Sequence, residues 1–223
     1  MQNTWITSDF HFFHYNILKF QKERRNILGL NELDMENIEM AIEKQNQWLI
    51  ELWNKTVKKQ DTIYFLGDFS FANRENTEKL LKKLNGKKHL IVGNHDKSLV
   101  GLENYFESVN QIKEVKFNYK QYDWIDSNET FCIEICHFPL LTWNRRTHGS
   151  CMVHGHCHGS IDNLNIQSNE LRVDAGLDSV LSNYRILNIK DVYDYFCNIR
   201  NNAGCKTFQE YAEQLMNKQG VRM

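Results

Sequence analysis

Proline is almost missing from this sequence, with one residue in 223, so proline-rich linkers and polyproline segments are excluded. No run approaches the roughly 18 consecutive apolar residues of a membrane-spanning helix. The opening Met1-Gln2-Asn3-Thr4-Trp5 lacks the basic and apolar regions of a signal peptide. An excess of either charge is lacking too: 27 basic residues stand against 28 acidic ones, a net charge of −1. That excludes a strongly basic nucleic-acid binder and an acidic tail protein. No CxxC pair occurs among Cys132, Cys136, Cys151, Cys157, Cys197 and Cys205, so neither a redox dithiol nor a cysteine zinc site is suggested. Without a secretory signal, reduced thiols in a cytoplasmic protein are expected rather than a disulfide framework.

What is present is ordinary globular material, long enough to bury a large core. Short apolar runs alternate with longer amphipathic stretches, the pattern of an α/β fold. Trp5-Ile6-Thr7 predicts a first strand. Ile63-Tyr64-Phe65-Leu66, apolar without a break, predicts a strand buried on both faces, and Leu90-Ile91-Val92 predicts a third. Residues 112–119 and 131–137 predict two more, with a turn at Asp126-Ser127-Asn128 between them. In the second, Phe131, Ile133, Ile135 and His137 share one face and Glu134 lies on the other. Met152-Val153, 171–174 and 184–189 complete the expected strands. One helix is predicted from Asp34, as its cap, toward Val57, with Ile38, Ile42, Leu49, Leu52 and Trp53 on its apolar face. Others are predicted over Thr77–Leu84, stopped by Gly86, and over 207–217.

The informative residues stand at the strand ends. After the first strand comes Ser8-Asp9-Phe10-His11, after the second Gly67-Asp68, and after the third Gly93-Asn94-His95-Asp96. The strand from Phe131 ends at His137, and the one near Val153 runs into Gly155-His156-Cys157-His158. Ligands of open α/β sheets bind beyond the carboxyl ends of the strands, so five strands would deliver polar residues to one edge. Any single piece is weak: nine histidines in 223 residues give roughly 0.4 HxH pairs by chance. Together, Asp9, His11, Asp68, Asn94, His137, His156 and His158 form a set of carboxylate, imidazole and amide donors suited to manganese, iron, zinc or nickel. With one bridging carboxylate, seven donors make two four-ligand sites. Such ion pairs clamp a phosphate and hold a hydroxide between them.

These five blocks, in this order over residues 9–158, resemble the calcineurin-like metallophosphoesterases. Thr7-Ser8-Asp9-Phe10-His11-Phe12-Phe13-His14-Tyr15-Asn16-Ile17 and Tyr64-Phe65-Leu66-Gly67-Asp68-Phe69 look like a small bacterial and phage branch. The similarity continues through Val173-Asp174-Ala175-Gly176-Leu177-Asp178 to about residue 196. The resemblance implies two mixed β-sheets packed face to face with helices outside both, a four-layer α/β sandwich. A domain over 1–196 is expected, with a helical extension over 197–223. Asp9, His11 and His158 would hold one divalent ion, Asn94, His137 and His156 the other, and Asp68 would bridge them. Manganese is the first choice of metal, with iron, zinc, nickel or cobalt as alternatives.

The implied reaction is hydrolysis of a phosphate mono- or diester, by in-line attack of the metal-held hydroxide on phosphorus. His95 resembles the family's general acid, and Asp96 would orient it or cap the loop. Arg145 and Arg146, within ten residues of His137, are the candidates to grip substrate phosphate. His14 is placed either beside a ligand or in a surface loop. The expected partner is a small phosphate ester, possibly a nucleotide, with no membrane and no strong nucleic-acid signal. Alternatives are a non-catalytic scaffold of the same fold and a nuclease for short oligonucleotides.

Overall fold

A computed structural model describes residues 2–125, 129–167 and 170–200. Among these residues the strands are β1 (Thr4–Thr7), β2 (Thr62–Phe65), β3 (Lys87–Ile91), β4 (Ser108–Asn110), β5 (Ile112–Asn118), β6 (Thr130–Cys136), β7 (Cys151–His154), β8 (Arg172–Asp174) and β9 (Leu187–Asn188). The α-helices are α1 (Ile17–Phe20), α2 (Lys22–Ile27), α3 (Glu32–Glu36), α4 (Ile38–Thr56), α5 (Arg74–Leu81), α6 (Asp162–Gln167) and α7 (Ile189–Arg200). One sheet runs β4-β3-β2-β1-β9, parallel except for β9 against β1. The other runs β5-β6-β7-β8, with β5 antiparallel and the rest parallel. Both sheets are mixed, as the resemblance implied.

The apolar run of β2 explains the layering. Tyr64 and Leu66 join Ile6, Ile91, Ile133, Ile135, Val153 and Val173 in a core between the two sheets. Ile63 and Phe65 turn the other way, onto Leu49 and Trp53 of α4 and Leu80 and Leu81 of α5. A strand buried on both faces has no polar side to show solvent. Phe131, Ile133 and Ile135 do share the inner face of β6. Glu134, on the other face, is itself buried, opposite Glu114 in the register.

The helix expected from Asp34 is two helices. Asn31 caps α3, accepting from the Asp34 N–H, and Asp34 accepts from the Asn31 N–H in return, a reciprocal capping box. Asn37 then starts α4, accepting from Met40 N–H. On α4, Leu49 and Trp53 are buried as expected, but Ile38 is exposed, while Gln45 and Asn46 are buried. Those two amides reach the first motif, as described below. The second predicted helix starts at Arg74, capped by Asn73, not at Thr77. The last predicted strand shortens to Leu187–Asn188 because Ile189 opens α7, which continues past residue 197 to Arg200. The predicted turn at Asp126-Ser127-Asn128 and helix over 207–217 lie outside the described residues. No helix among the described residues is long and apolar enough to cross a membrane.

Candidate metal centre

The carboxyl ends of β1, β2, β3, β6 and β7 come to one edge, where the motif loops tie to each other. Asp9 N–H donates to Gly67 O and His11 N–H to Asp68 O, both at 3.0 Å. Gly155 N–H donates to His137 O at 3.0 Å, and Leu177 N–H to Ser8 O at 3.0 Å. The loops pass so closely that a side chain at either of two glycines would collide. A Cβ on Gly155 would stand 2.1 Å from Ser8 Oγ and 2.5 Å from Asp9 Oδ2, and one on Gly93 2.4 Å from Asp68 Oδ1. Asp9, His11, Asp68, His156 and His158 all hold left-handed backbone, with φ between 48° and 68°. Such strain persists only where surrounding contacts over-determine it, and it concentrates at functional sites.

The sequence-predicted donors gather in two groups. Asp9, His11 and His158 form one, and Asp68, His137 and His156 the other, with donor atoms within 4.8 Å of one another in each. His11 Nε2 lies 3.7 Å from Asp9 Oδ1 and 3.6 Å from Asp68 Oδ2. His158 Nε2 lies 3.8 Å from Asp9 Oδ1, and His137 Nε2 lies 3.5 Å from Asp68 Oδ1. Asp68 thus turns one oxygen toward each group. These separations, 3.5–3.8 Å, are too long for hydrogen bonds and lie just beyond the roughly 3–3.5 Å between donors that share one bound ion. Asp9 Oδ1 and His11 Nε2 are buried without a hydrogen-bond partner among the described residues, a costly state that a cation relieves.

Tautomers point the same way. His137 Nδ1 donates to Leu66 O at 2.7 Å, so its neutral ring presents the Nε2 lone pair; Asn94 Oδ1, another acceptor, faces it at 2.9 Å. His158 Nδ1 donates to Asp178 Oδ2 at 2.7 Å, again leaving Nε2 toward the centre. His11 Nδ1 and His14 Nδ1, 3.2 Å apart, share one proton; with that proton on His11, its Nε2 is bare. Partners that orient metal-binding imidazoles in this way are the rule in metal sites.

Several supporting residues carried no assignment from sequence. Buried Arg24 donates Nε and Nη2 to Asp178 at 2.9 and 2.6 Å, Nη1 to Phe10 O at 2.9 Å, and Nη2 to Asp9 O at 3.1 Å. Gln45 Nε2 donates to His11 O at 3.1 Å, and Asn46 Oδ1 accepts from Phe13 N–H at 2.8 Å. Asp178 lies within a stretch of family resemblance, but neither that nor the charged run Lys22-Glu23-Arg24-Arg25 signals such a pair.

His95, the predicted acid, is exposed at the rim; its N–H donates to Asp68 Oδ1 at 2.9 Å and its ring lies 6.1 Å from that of His11. The Asp96 carboxylate accepts backbone N–H from Asp68, Phe69 and Gly93 at 3.0, 2.7 and 2.7 Å. Its oxygens are thus engaged in holding two motif loops together rather than in orienting the His95 ring. The loop after His137 folds back along the sheet. Asn144 donates to Glu114, Arg146 pairs through two nitrogens with Glu170 and lies over Trp143, and the charge of exposed Arg145 acts on Cys132. Arg146 is thus engaged by Glu170, while Arg145 stays exposed.

Burial favours the neutral form of these groups, and local charge decides the outcome. Burial alone would raise Asp9, but the close approach of the His11 ring and the charges of His158 and His11 hold it far below the ordinary carboxylate range. Burial would lower His158, yet its bond to Asp178 and the nearby carboxylates raise it; a cation there competes with a proton. Burial pushes Asp162 up to about 7. Its Oδ2 accepts from Val180 N–H, while Oδ1 has no partner among the described residues. The folded state therefore keeps a proton that the unfolded carboxyl releases near pH 4. Stability present below about pH 4 is lost as pH rises toward 7. Asp162→Asn is expected to flatten urea-midpoint dependence of the metal-free protein between pH 4 and 8, and to raise stability at pH 8 by on the order of 2 kcal/mol. An unchanged pH slope would refute this.

The sequence profile of the calcineurin-like phosphoesterases matches residues 3–213. Gene 66 protein of Mycobacterium phage L5 is 24% identical over 230 residues, covering 93% of this chain and 100% of that protein. Gene 66 protein of Mycobacterium phage D29 is 26% identical over 200 residues, covering 80% and 89%. Uncharacterized protein MJ1445 of Methanocaldococcus jannaschii is 34% identical over 99 residues, 44% of this chain and 48% of that one. The crystal structure of AQ665, a protein of unknown function from Aquifex aeolicus, superposes with a TM-score of 0.59 at 20% identity, over 87% of this chain and 100% of that one. That likeness bears on the fold alone. The two phage proteins support the resemblance to a small phage branch.

Proposed function

Because the chain belongs to the calcineurin-like phosphoesterase family, we propose that it is a metal-dependent hydrolase of phosphate esters with a dinuclear centre. The observation that carries this reading is Asp68, whose two oxygens face two separate groups of donors. Asp9, His11 and His158 would hold one cation, Asn94, His137 and His156 the other, with Asp68 shared. When bound, the pair supplies an activated water and draws charge from the phosphoryl oxygens. The protein's own residues do the rest. Arg24, Asp178 and His14 hold the donor rings in place, and Asp96 positions the loops that carry Asp68 and Asn94. His95, exposed at the rim, gives a ring proton to the leaving oxygen.

The test is turnover of p-nitrophenyl phosphate and bis-p-nitrophenyl phosphate by chelator-stripped protein titrated with manganese. Manganese-dependent hydrolysis of either supports the reading. Silence with no metal bound favours the non-catalytic scaffold. His95→Ala is expected to keep its metal and to slow alkyl esters by about 10²–10⁴-fold. The loss should be much smaller for p-nitrophenyl esters, whose leaving group needs no proton. Equal losses for both would argue against the acid role.

A further inference from the structure

Two phenylalanines outside the donor set flank the candidate centre. Phe138 follows His137 and is 45% exposed. Its ring lies edge-to-face with His137 at 5.0 Å and with His156 at 4.7 Å. Phe71 is 38% exposed, lies 4.7 Å from the His95 ring and stacks on His14 at 3.8 Å and 10°. Single exposed apolar side chains are ordinary. These two, however, belong to none of the three buried apolar clusters, and they attach to different histidines of the same edge.

Both are held in place before any ligand arrives. Phe138 precedes Pro139, the chain's one proline, which restricts it to extended conformations. Phe71 N–H donates to Phe12 O at 2.9 Å, beside the Phe12–Ser70 bridge. With the backbone so restrained and the rings packed on His14, His95, His137 and His156, binding costs little further entropy. Arg146, the candidate anchor in the loop after Phe138, is spent on Glu170.

We propose that Phe71 and Phe138 are the substrate-selecting walls of the site. The preferred substrate is then a phosphodiester whose leaving arm runs along Phe71, beside His95, and whose retained arm carries a flat ring against Phe138. A monoester has no retained arm and leaves Phe138 unused. The inference rests on the phosphoesterase reading above. In the step, water adds to phosphorus and gives a proton to solvent. The bond to the leaving oxygen breaks, that oxygen takes its proton from His95, and a monoester bearing the retained arm remains.

The experiment compares benzyl and methyl p-nitrophenyl phosphate, which share a leaving group, with the manganese-loaded full chain. The benzyl ester is expected to have a kcat/KM about fivefold higher, the scale of one aromatic contact. Phe138→Ala and Phe138→Leu should bring the benzyl-to-methyl ratio to about one, and Phe138→Tyr should keep it. Manganese content reports whether each variant is folded around its site. A wild-type ratio near one, or a ratio that survives both Phe138→Ala and Phe138→Leu, would overturn the proposal and leave the phosphoesterase reading standing. Silence on both diesters with manganese bound and p-nitrophenyl phosphate hydrolysed would also overturn the proposal and leave the phosphoesterase reading standing; silence on all three would overturn both.

Discussion

Asp68→Ala is expected to lower bound metal at both positions and to cut manganese-dependent turnover by about 10³-fold or more. A bound cation contributes several kcal/mol of charge stabilisation in phosphoryl chemistry, and each 1.36 kcal/mol is tenfold in rate. Other donors serve one group each, whereas Asp68 lies within 3.6 Å of His11 and 3.5 Å of His137 through different oxygens. Its loss should therefore be felt twice. Alanine also removes the acceptor for the His95 N–H and fits poorly at φ 57°. Asp68→Asn controls for both, since asparagine tolerates left-handed backbone and keeps an acceptor oxygen. The asparagine variant should fold like the parent and still lose metal. Elemental analysis of protein loaded with manganese and passed through a desalting column makes the measurement. Full metal content in both variants would remove Asp68 from the bridging position.

The second large effect concerns stability. Arg24→Met is expected to cost about 3–5 kcal/mol at pH 7, because it strips the buried Asp178 charge of its bidentate guanidinium partner and leaves it the bond from His158. The same change removes donors from Phe10 O and Asp9 O, which lie under the first motif. Burial would raise the Asp178 carboxyl, but the Arg24 charge and the His158 bond hold it below the usual carboxylate range. A depressed folded pKa contributes stability above the unfolded value of about 3.9 and loses it as pH falls through the folded value. The gap between parent and variant should then be widest at neutral pH and narrow in acid. Arg24→Met with Asp178→Asn should recover part of the loss, since no bare charge remains. Urea unfolding of the metal-free proteins at pH 7 and below about pH 3 tests this; a neutral-pH difference below about 1 kcal/mol would show that the pair is not needed to hold the fold.

The donors of the candidate centre were legible because each comes directly after an apolar run, so a one-dimensional pattern already places them on a common edge. Arg24 and Gln45 were not legible for a physical reason. Much of what they bind is backbone carbonyl, which any residue supplies, and Arg24 meets Asp178 across 154 residues of chain. Nearness to His137 in sequence did not by itself reveal that Arg146 pairs with Glu170, a partner 24 residues further along the chain. The helix expected from Asp34 shows a third case. Periodicity marked the apolar face of α4, but Asn31 and Asn37 each start a helix, and the break between them leaves no apolar signal. Gln45 and Asn46 then occupy buried positions on α4 because the strained motif loop needs their amides more than the core needs two further apolar side chains.

The ion pair between Arg24 and Asp178 also has a consequence for how the protein is made. Ribosomes add about 5–20 residues per second, so the 154 residues between the two partners take roughly 8–30 s to synthesise. Through that interval Asp9 and His11 have emerged, but His158 and the carboxylate that orients it have not. A nascent chain that has passed Asp68 but not reached His158 therefore carries three of the four donors the proposed first site would use. On the proposed reading, the first cation site is completed only once His158 and Asp178 have been made.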